Sequence, residues 1–299
     1  MILILMEKSV NITVFTPTFN RAYIIEQLYR SLQRQSYRDF EWVLVDDGST
    51  DGTEDLIKKW QNETNDFPIR YYKQENGGKC RAINHALDLA MGRLFFTVDS
   101  DDYLTDDALE KIVKWVSLLP KNEQFCGIAG NLGTSPTQTT NRMFEGDYFE
   151  GTLLDRYRSV DGERAIVFFT DVHRKYKYPE FENEKFMTEA VAYNRMANDG
   201  YKIRFYNDII WIYEYKDDGL TKSGNSLFIN NPKGYGLWLR EKAKFMKYSF
   251  WEKIKMYYTF ACDLSDKYDS HIISDSIGVS LTFIRLLLCI HTIVCIYRK

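Results

Sequence analysis

Three carboxylates stand within four residues at Asp99-Ser100-Asp101-Asp102, directly after the apolar run Phe95-Phe96-Thr97-Val98. Like charges this close repel one another, and each is better solvated than crowded. A hard divalent cation such as Mg²⁺ or Mn²⁺ relieves the repulsion through oxygen ligands. Mg²⁺ usually takes one or two protein carboxylates and completes its shell with substrate phosphates. The cluster therefore reads as a site for a metal and a phosphorylated ligand, or else as a solvated acidic turn before a helix starting near Asp106.

Two further polar turns follow strand-like runs. Pro17-Thr18-Phe19-Asn20-Arg21 comes after Ile12–Thr16, and Asp46-Asp47-Gly48-Ser49-Thr50-Asp51 comes after Trp42-Val43-Leu44-Val45. Helical patterns are predicted over Tyr23–Arg34, Thr53–Gln61, Lys79–Ala90 and Asp106–Leu118, with further strands at Ile69–Tyr72, Leu94–Val98 and around Gly127–Ala129. Strands that are apolar throughout and alternate with helices indicate a mainly parallel sheet covered on both faces. Ligands of such sheets bind beyond the carboxyl ends of the strands, where all three polar turns fall.

Residues 133–162 read as an irregular connection. A strand is then predicted at Arg164–Phe169, a helix at Glu184–Ala197, and a strand at Ile209–Tyr215 ending in Lys216-Asp217-Asp218-Gly219.

The chain has 299 residues, 44% hydrophobic and 27% charged, as expected of a globular protein. A net charge of −3 gives no case for nucleic-acid binding. Five scattered cysteines without a CxxC pair indicate neither a zinc site nor a disulfide framework, and they fit a reducing cytosol. Met1–Met6 is apolar but short and lacks a basic flank, which argues for a flexible start or an edge strand over a signal peptide. The four histidines (His85, His173, His271, His291) show no ligand spacing; His85 is expected to be structural, and for His173 a structural role is favoured over a contribution on the acceptor side.

From Lys233 to Phe260, seven basic residues face two acidic ones, with aromatic residues interleaved. Contact with an anionic membrane surface and a solvated basic face packing its rings on the core are both open. Ile277–Tyr297 is strongly apolar but carries Arg285 and His291. A spanning helix needs ~20 apolar residues and a central Arg costs about 2.5–3.5 kcal/mol, so a docked or monotopic helix is expected instead.

Phe15-Thr16-Pro17-Thr18-Phe19-Asn20-Arg21, Val45-Asp46-Asp47-Gly48-Ser49-Thr50-Asp51-Gly52, Asn76-Gly77-Gly78-Lys79 and Asp99-Ser100-Asp101-Asp102, in this order, resemble a family 2 glycosyltransferase. The resemblance is specific from about Ile12 to Ala129 and looser to Gly219. It implies an inverting enzyme with a GT-A fold, a mainly parallel α/β sheet flanked by helices, that uses a UDP-sugar and Mn²⁺ or Mg²⁺. Residues 1–219 would be the catalytic domain, with the nucleotide-sugar half at about 10–131 and the acceptor half at 132–219. Residues 220–299 would be a helical C-terminal extension.

By the same resemblance Asp47 accepts from the uracil N3–H, with Thr16 and Pro17 lining that pocket, while Asp46 is a turn or packing acid. Asp99 contacts the ribose or assists at the metal, Asp101 is the metal carboxylate, and Asp102 is either a ligand or a supporting contact. Lys79 and Arg81, at a helix start after a double glycine, suit phosphate binding, though both also fit an exposed helix face. The acidic pair expected before a helix in the second half reads Thr188-Glu189, so the general base falls on Glu189, with Glu182 and Glu184 as competitors. The acceptor is a saccharide or lipid-linked saccharide, and the setting is the cytoplasmic face of a membrane during surface polysaccharide or glycolipid assembly. A nucleotidyltransferase and a catalytically silent nucleotide-sugar-binding protein are the rivals. The first lacks its expected basic Gly-rich loop after the first strand, and the second would tolerate loss of acids that are all present. No GxGxxG follows the first strand, which disfavours a dehydrogenase.

Overall fold

The computed structural model describes residues 10–155, 162–214 and 224–297. Residues 1–9 and 215–219, on which the N-terminal edge-strand and Lys216–Gly219 expectations fall, lie outside them. The chain divides into two compact units, Met1–Lys177 with Asp199–Lys216, and Tyr178–Asn198 with Asp217–Lys299.

The first unit opens with β1 (Ile12–Thr18), α1 (Glu26–Gln33), β2 (Phe40–Asp46), α2 (Thr53–Gln61), β3 (Ile69–Lys73), α3 (Lys79–Leu89) and β4 (Leu94–Thr97). The order β3-β2-β1-β4 is parallel throughout, with Thr18 beside Asp46 and Phe15 beside Thr97. Their carboxyl ends therefore share one rim, which carries every polar turn named above. Beyond them follow β5 (Tyr103–Leu104), α4 (Ala108–Ser117), β6 (Phe125–Ser135), β7 (Gln138–Thr139), β8 (Tyr148–Gly151), β9 (Ala165–Phe169), α5 (Thr170–His173) and, after the short 3-10 turn Arg174–Tyr176 and the 178–198 segment, β10 (Lys202–Ile212).

The whole is a mixed sheet flanked by helices. The expected parallel pairing holds on the nucleotide side, whereas β9 runs antiparallel between β4 and β6. The stretch read as irregular holds β7 and β8, hairpin-like additions antiparallel to β6 and β10.

Apolar residues of β1, β2 and β4 pack under α1, α2 and α4, with Tyr29, Trp42 and Trp60 stacked in the centre. On the other face β2 buries Glu41, whose charge is compensated by Arg70 (2.7 Å), the Thr13 hydroxyl (2.6 Å) and the Met91 amide (2.8 Å). A buried carboxylate survives here because each oxygen has a donor.

The second unit contains α6 (Ala190–Asn198), α7 (Asn225–Ile229), α8 (Pro232–Phe245), α9 (Phe250–Leu264), α10 (Ser270–Ile277) and α11 (Leu281–Tyr297). Ser249 and Glu252 form a capping box on α9, and Asp269 caps α10. Gly236 permits the close approach of α8 to α10, since a Cβ there would stand 2.2 Å from the Ser276 carbonyl oxygen. Phe260, Leu264, Ile273, Ile277 and Ile284 make the small core. Among the described residues no single helix is long and apolar enough to cross a membrane, and α10 and α11 are bent by 119° at their break.

Residues 178–198, read from sequence as part of the acceptor half, group with the C-terminal helices. The Arg195–Glu241 ion pair at 2.7 Å and the contact of Phe186 with Phe228 tie them there.

His173 is buried against Phe95 and Phe168. Burial pulls its pKa down to about 3. The unfolded chain binds a proton at this residue below about pH 6.5 while the folded one does not, so stability is lost as pH falls from about 6.5 through about 3. At about pH 5 the loss from this residue is about 2 kcal/mol. Replacing it as His173→Leu is expected to flatten that part of the acid limb in denaturation curves, and parallel curves for the two proteins would exclude this origin.

Candidate active site

Asp47 follows β2 directly and is 6% exposed. Its Oδ1 accepts from the Gly77 amide (2.8 Å) and Gln74 Nε2 (2.8 Å), and its Oδ2 accepts from the Gly78 amide (2.7 Å). The Asn76 side-chain amide donates to the Asp47 carbonyl at 2.8 Å. One acid thus folds the Asn76-Gly77-Gly78 loop onto the end of β2. Gly78 closes that loop at φ +93°, a conformation costly for a side chain with a Cβ, and starts α3. His85 on α3 contacts Gln74 Oε1 at 3.1 Å, which fixes the glutamine that holds Asp47. A carboxylate offers about four acceptor positions, so three donors leave Asp47 one more.

Asp46 is fully buried and accepts from the Ser49 amide (2.7 Å) and the Tyr71 hydroxyl (2.6 Å), the work of a packing acid. Thr16, expected at the nucleotide pocket, has its side chain in the core: it is fully buried and its Oγ1 accepts from Trp42 Nε1 at 3.0 Å. The alternation of β1 turns Thr16 to the same face as Val14, so its hydroxyl serves the core in place of a ligand. Pro17 points to the opposite face and is half-buried. The turn after β1 is pinned to the turn after β2, with the Asn20 amide donating to Ser49 Oγ and the Thr50 amide to Asn20 Oδ1, both at 2.8 Å.

Each acid of the 99–102 cluster has its own partner. Lys79 Nζ lies 2.7 Å from Asp99, joining the start of α3 to the end of β4. Arg21 reaches Asp101 at 3.8 Å. Trp211 Nε1 of β10 donates to Asp102 Oδ2 at 2.8 Å. Arg81 lies over Gly77, where a Cβ would stand 2.6 Å from its Cδ. Burial, and then the charge of Asp99, raise the pKa of Asp101. The same causes in the same order push Asp102 up to about 8. Among the described residues no group of three His, Cys, Asp or Glu side chains is arranged to hold a metal ion. The acids of the cluster offer only hard oxygens, the ligand type that Mg²⁺ or Mn²⁺ would take.

In the second unit Glu189 directly precedes α6, is half-buried, and accepts from the Tyr193 hydroxyl at 3.3 Å. The helix predicted from Glu184 begins at Ala190, because the chain before it is engaged elsewhere. Glu184 accepts from the Lys233 and Gly234 amides at the start of α8 (2.8 and 2.9 Å), and Asn231 Oδ1 accepts in return from the Lys185 and Phe186 amides (2.8 and 3.1 Å). Glu184 is therefore a clamp, and Glu182 is exposed outside the helix. Sequence reading missed Arg21, Gln74, Trp211 and Asn231, while His85 has the structural role expected of it. Arg21 lay within a recognised motif, whereas nothing local to Trp211 or Asn231 marks either residue.

The raised pKa of Asp102 has a sign that can be tested. The folded state favours the neutral acid, so its contribution to stability is complete below about pH 3.8 and is lost as pH rises through about 8. Asp102→Asn keeps a neutral acceptor for Trp211, and its stability gain over wild type is expected to grow across that interval and then level off. A constant difference in melting temperature between the two proteins across that range would contradict the assignment.

Residues 13–182 match the model of "Glycosyl transferase family 2". Among curated proteins, the chain is 31% identical over 184 residues to the GalNAc(5)-diNAcBac-PP-undecaprenol beta-1,3-glucosyltransferase of Campylobacter jejuni, covering 60% of this chain and 55% of that protein. The chain spans about half or less of the length of the curated relatives it matches first. Among solved structures, residues 1–349 of TarS from Staphylococcus aureus in complex with UDP-GlcNAc superimpose with a TM-score of 0.62 at 19% identity, over 93% of this chain and 88% of that one. The mannosyltransferase PcManGT of Pyrobaculum calidifontis, with GDP-Man and Mn²⁺, gives 0.57 at 19% identity over 96% and 81%. The fold is thus of the GT-A type, and with more than half of its length matched by the family model the chain belongs to glycosyl transferase family 2.

Proposed function

We propose that this protein transfers a sugar from a UDP-sugar to a hydroxyl of a saccharide or lipid-linked saccharide acceptor, with inversion at the anomeric carbon. The observation that carries the reading is the shared rim of β1, β2 and β4, where Asp47, Lys79 and the Asp99–Asp102 cluster are brought together from separate turns. The acceptor position left on Asp47 suits the single N3–H donor of uracil. Lys79, at the first turn of α3, offers a cation to the diphosphate, and Arg81 a second. In this reading Asp99 exchanges its lysine partner for a ribose hydroxyl.

Asp101 and Asp102 are the residues that would hold the divalent cation. When bound, it offsets the negative charge of the departing nucleoside diphosphate. Glu189 is the proposed base: its carboxylate takes the proton of the acceptor hydroxyl as that oxygen bonds to the anomeric carbon and the bond to the diphosphate breaks. Relatives named for teichuronic acid, undecaprenol-linked and poly(ribitol-phosphate) chemistry support a setting in surface polysaccharide or glycolipid assembly.

Wild-type protein with Mn²⁺ is expected to be thermally stabilised by one member of a UDP-sugar panel and to hydrolyse it slowly. Asp101→Asn should lower that turnover about 100-fold or more with the fold retained. Full turnover by this variant, or no donor used by wild type, would sink the model. For Glu189→Gln, donor stabilisation should persist while transfer to acceptor drops about 10²–10⁴-fold. Unchanged transfer would remove Glu189 from the mechanism.

A further inference from the structure

The second unit exposes apolar side chains that its own core does not need. Phe250 and Trp251, at the first turn of α9, are 67% and 76% exposed and stack edge-to-face on each other. On α11, Leu286, Ile290 and Ile293 recur at helical spacing and are 57%, 43% and 54% exposed, while Ile284 and Leu287 turn inward. The two helices pack together through Tyr257 against Phe283 and a 2.9 Å contact of the Tyr258 hydroxyl with His291. They therefore form one surface element with an apolar outside.

Its exposed charges are mainly basic. Lys253 and Lys255 of α9 and Arg285 of α11 are exposed, and Lys244 and Lys247 precede α9. α11 contains no acid. Of the two acids of α9, Glu252 is exposed and accepts from the Ser249 amide in the capping box (2.7 Å), and half-buried Asp263 accepts from the Tyr235 hydroxyl (3.0 Å). An exposed Trp–Phe pair ringed by lysines is the chemistry of a helix lying in a lipid headgroup layer: rings enter the interface, and ammonium groups reach anionic phosphates along their own apolar stems. A protein partner of ordinary composition would not call for cations without counter-charges, and a second copy of this face would set lysine against lysine.

We propose that α9 and α11 form a docking surface for an anionic lipid bilayer, with Phe250 and Trp251 as the inserted residues and Lys253 and Lys255 as the headgroup contacts. In this proposal the helices lie along the bilayer surface; no single helix among the described residues is long and apolar enough to cross, and the α10–α11 pair that is so only together is bent by 119°. This goes beyond the reaction proposed above and is independent of it.

The test is co-sedimentation of the full chain with vesicles of phosphatidylcholine alone or mixed with phosphatidylglycerol. Binding is expected to the mixed vesicles and to weaken as salt rises, with a blue shift of tryptophan emission that is lost in Trp251→Ser. Phe250→Ser with Trp251→Ser should reduce binding at least tenfold, and Lys253→Glu with Lys255→Glu should abolish the preference for the anionic lipid. Turnover of a soluble UDP-sugar should be the same in wild type and both double variants, which separates a failure here from a failure of the reaction itself. No binding to either vesicle, binding indifferent to these four residues, or a concentration-dependent dimer that the Phe250 and Trp251 changes disperse would overturn the proposal.

Discussion

The constraint on which this molecule turns is the need to give every crowded carboxylate at one sheet rim a donor of its own. Asp46, Asp47, Asp99, Asp101 and Asp102 lie at the ends of β2 and β4, and burial together with the charge of Asp99 opposes ionisation of Asp101 and Asp102. The fold answers each separately: Tyr71 and Ser49 for Asp46, the Gly77-Gly78 amides and Gln74 for Asp47, Lys79 for Asp99, Arg21 for Asp101 and Trp211 for Asp102. These donors come from the turn after β1, from β3, from the loop before α3 and from β10. Satisfying the acids therefore ties together elements that share no local sequence. Removing a donor from buried Asp46 or Asp47 would leave an acceptor unsatisfied, which costs more than the bond contributes when intact.

The same contacts prepare the site for chemistry. Asp47 spends three acceptor positions on its own protein and keeps one, so its orientation is set before a ligand arrives. Lys79 and Arg21 offset the charges of Asp99 and Asp101 respectively. Asp102 stays incompletely compensated, with a pKa near 8, because one indole N–H is a weak answer to burial beside Asp99 and Asp101.

The second unit follows a different logic. Its segment before α6 is clamped by Glu184 and Asn231, each buried and each accepting from backbone amides of the other's segment. That exchange explains both why the helix begins at Ala190 and why residues 178–198 belong with α8. Two buried polar side chains outweigh the helical propensity of the five residues between Glu184 and Ala190.

The sequence by itself determined the alternation of strands and helices, down to the bounds of α2, and the order of the polar turns. Those features are local: hydrophobic period, glycine, and carboxylates after an apolar run are written in adjacent residues. It also carried the family. What the tertiary structure decided was every pairing made across the chain. Thr16 and Asp47 sit in neighbouring motifs, yet the alternation of β1 and its contact with Trp42 send one into the core, while the other gathers a loop thirty residues away. Asp102 gained a partner 109 residues distant, and Glu184 exchanged a helix for a clamp. The reason is physical: propensity and pattern act over a few residues, whereas a buried charge takes whichever donor the packing brings within hydrogen-bond reach.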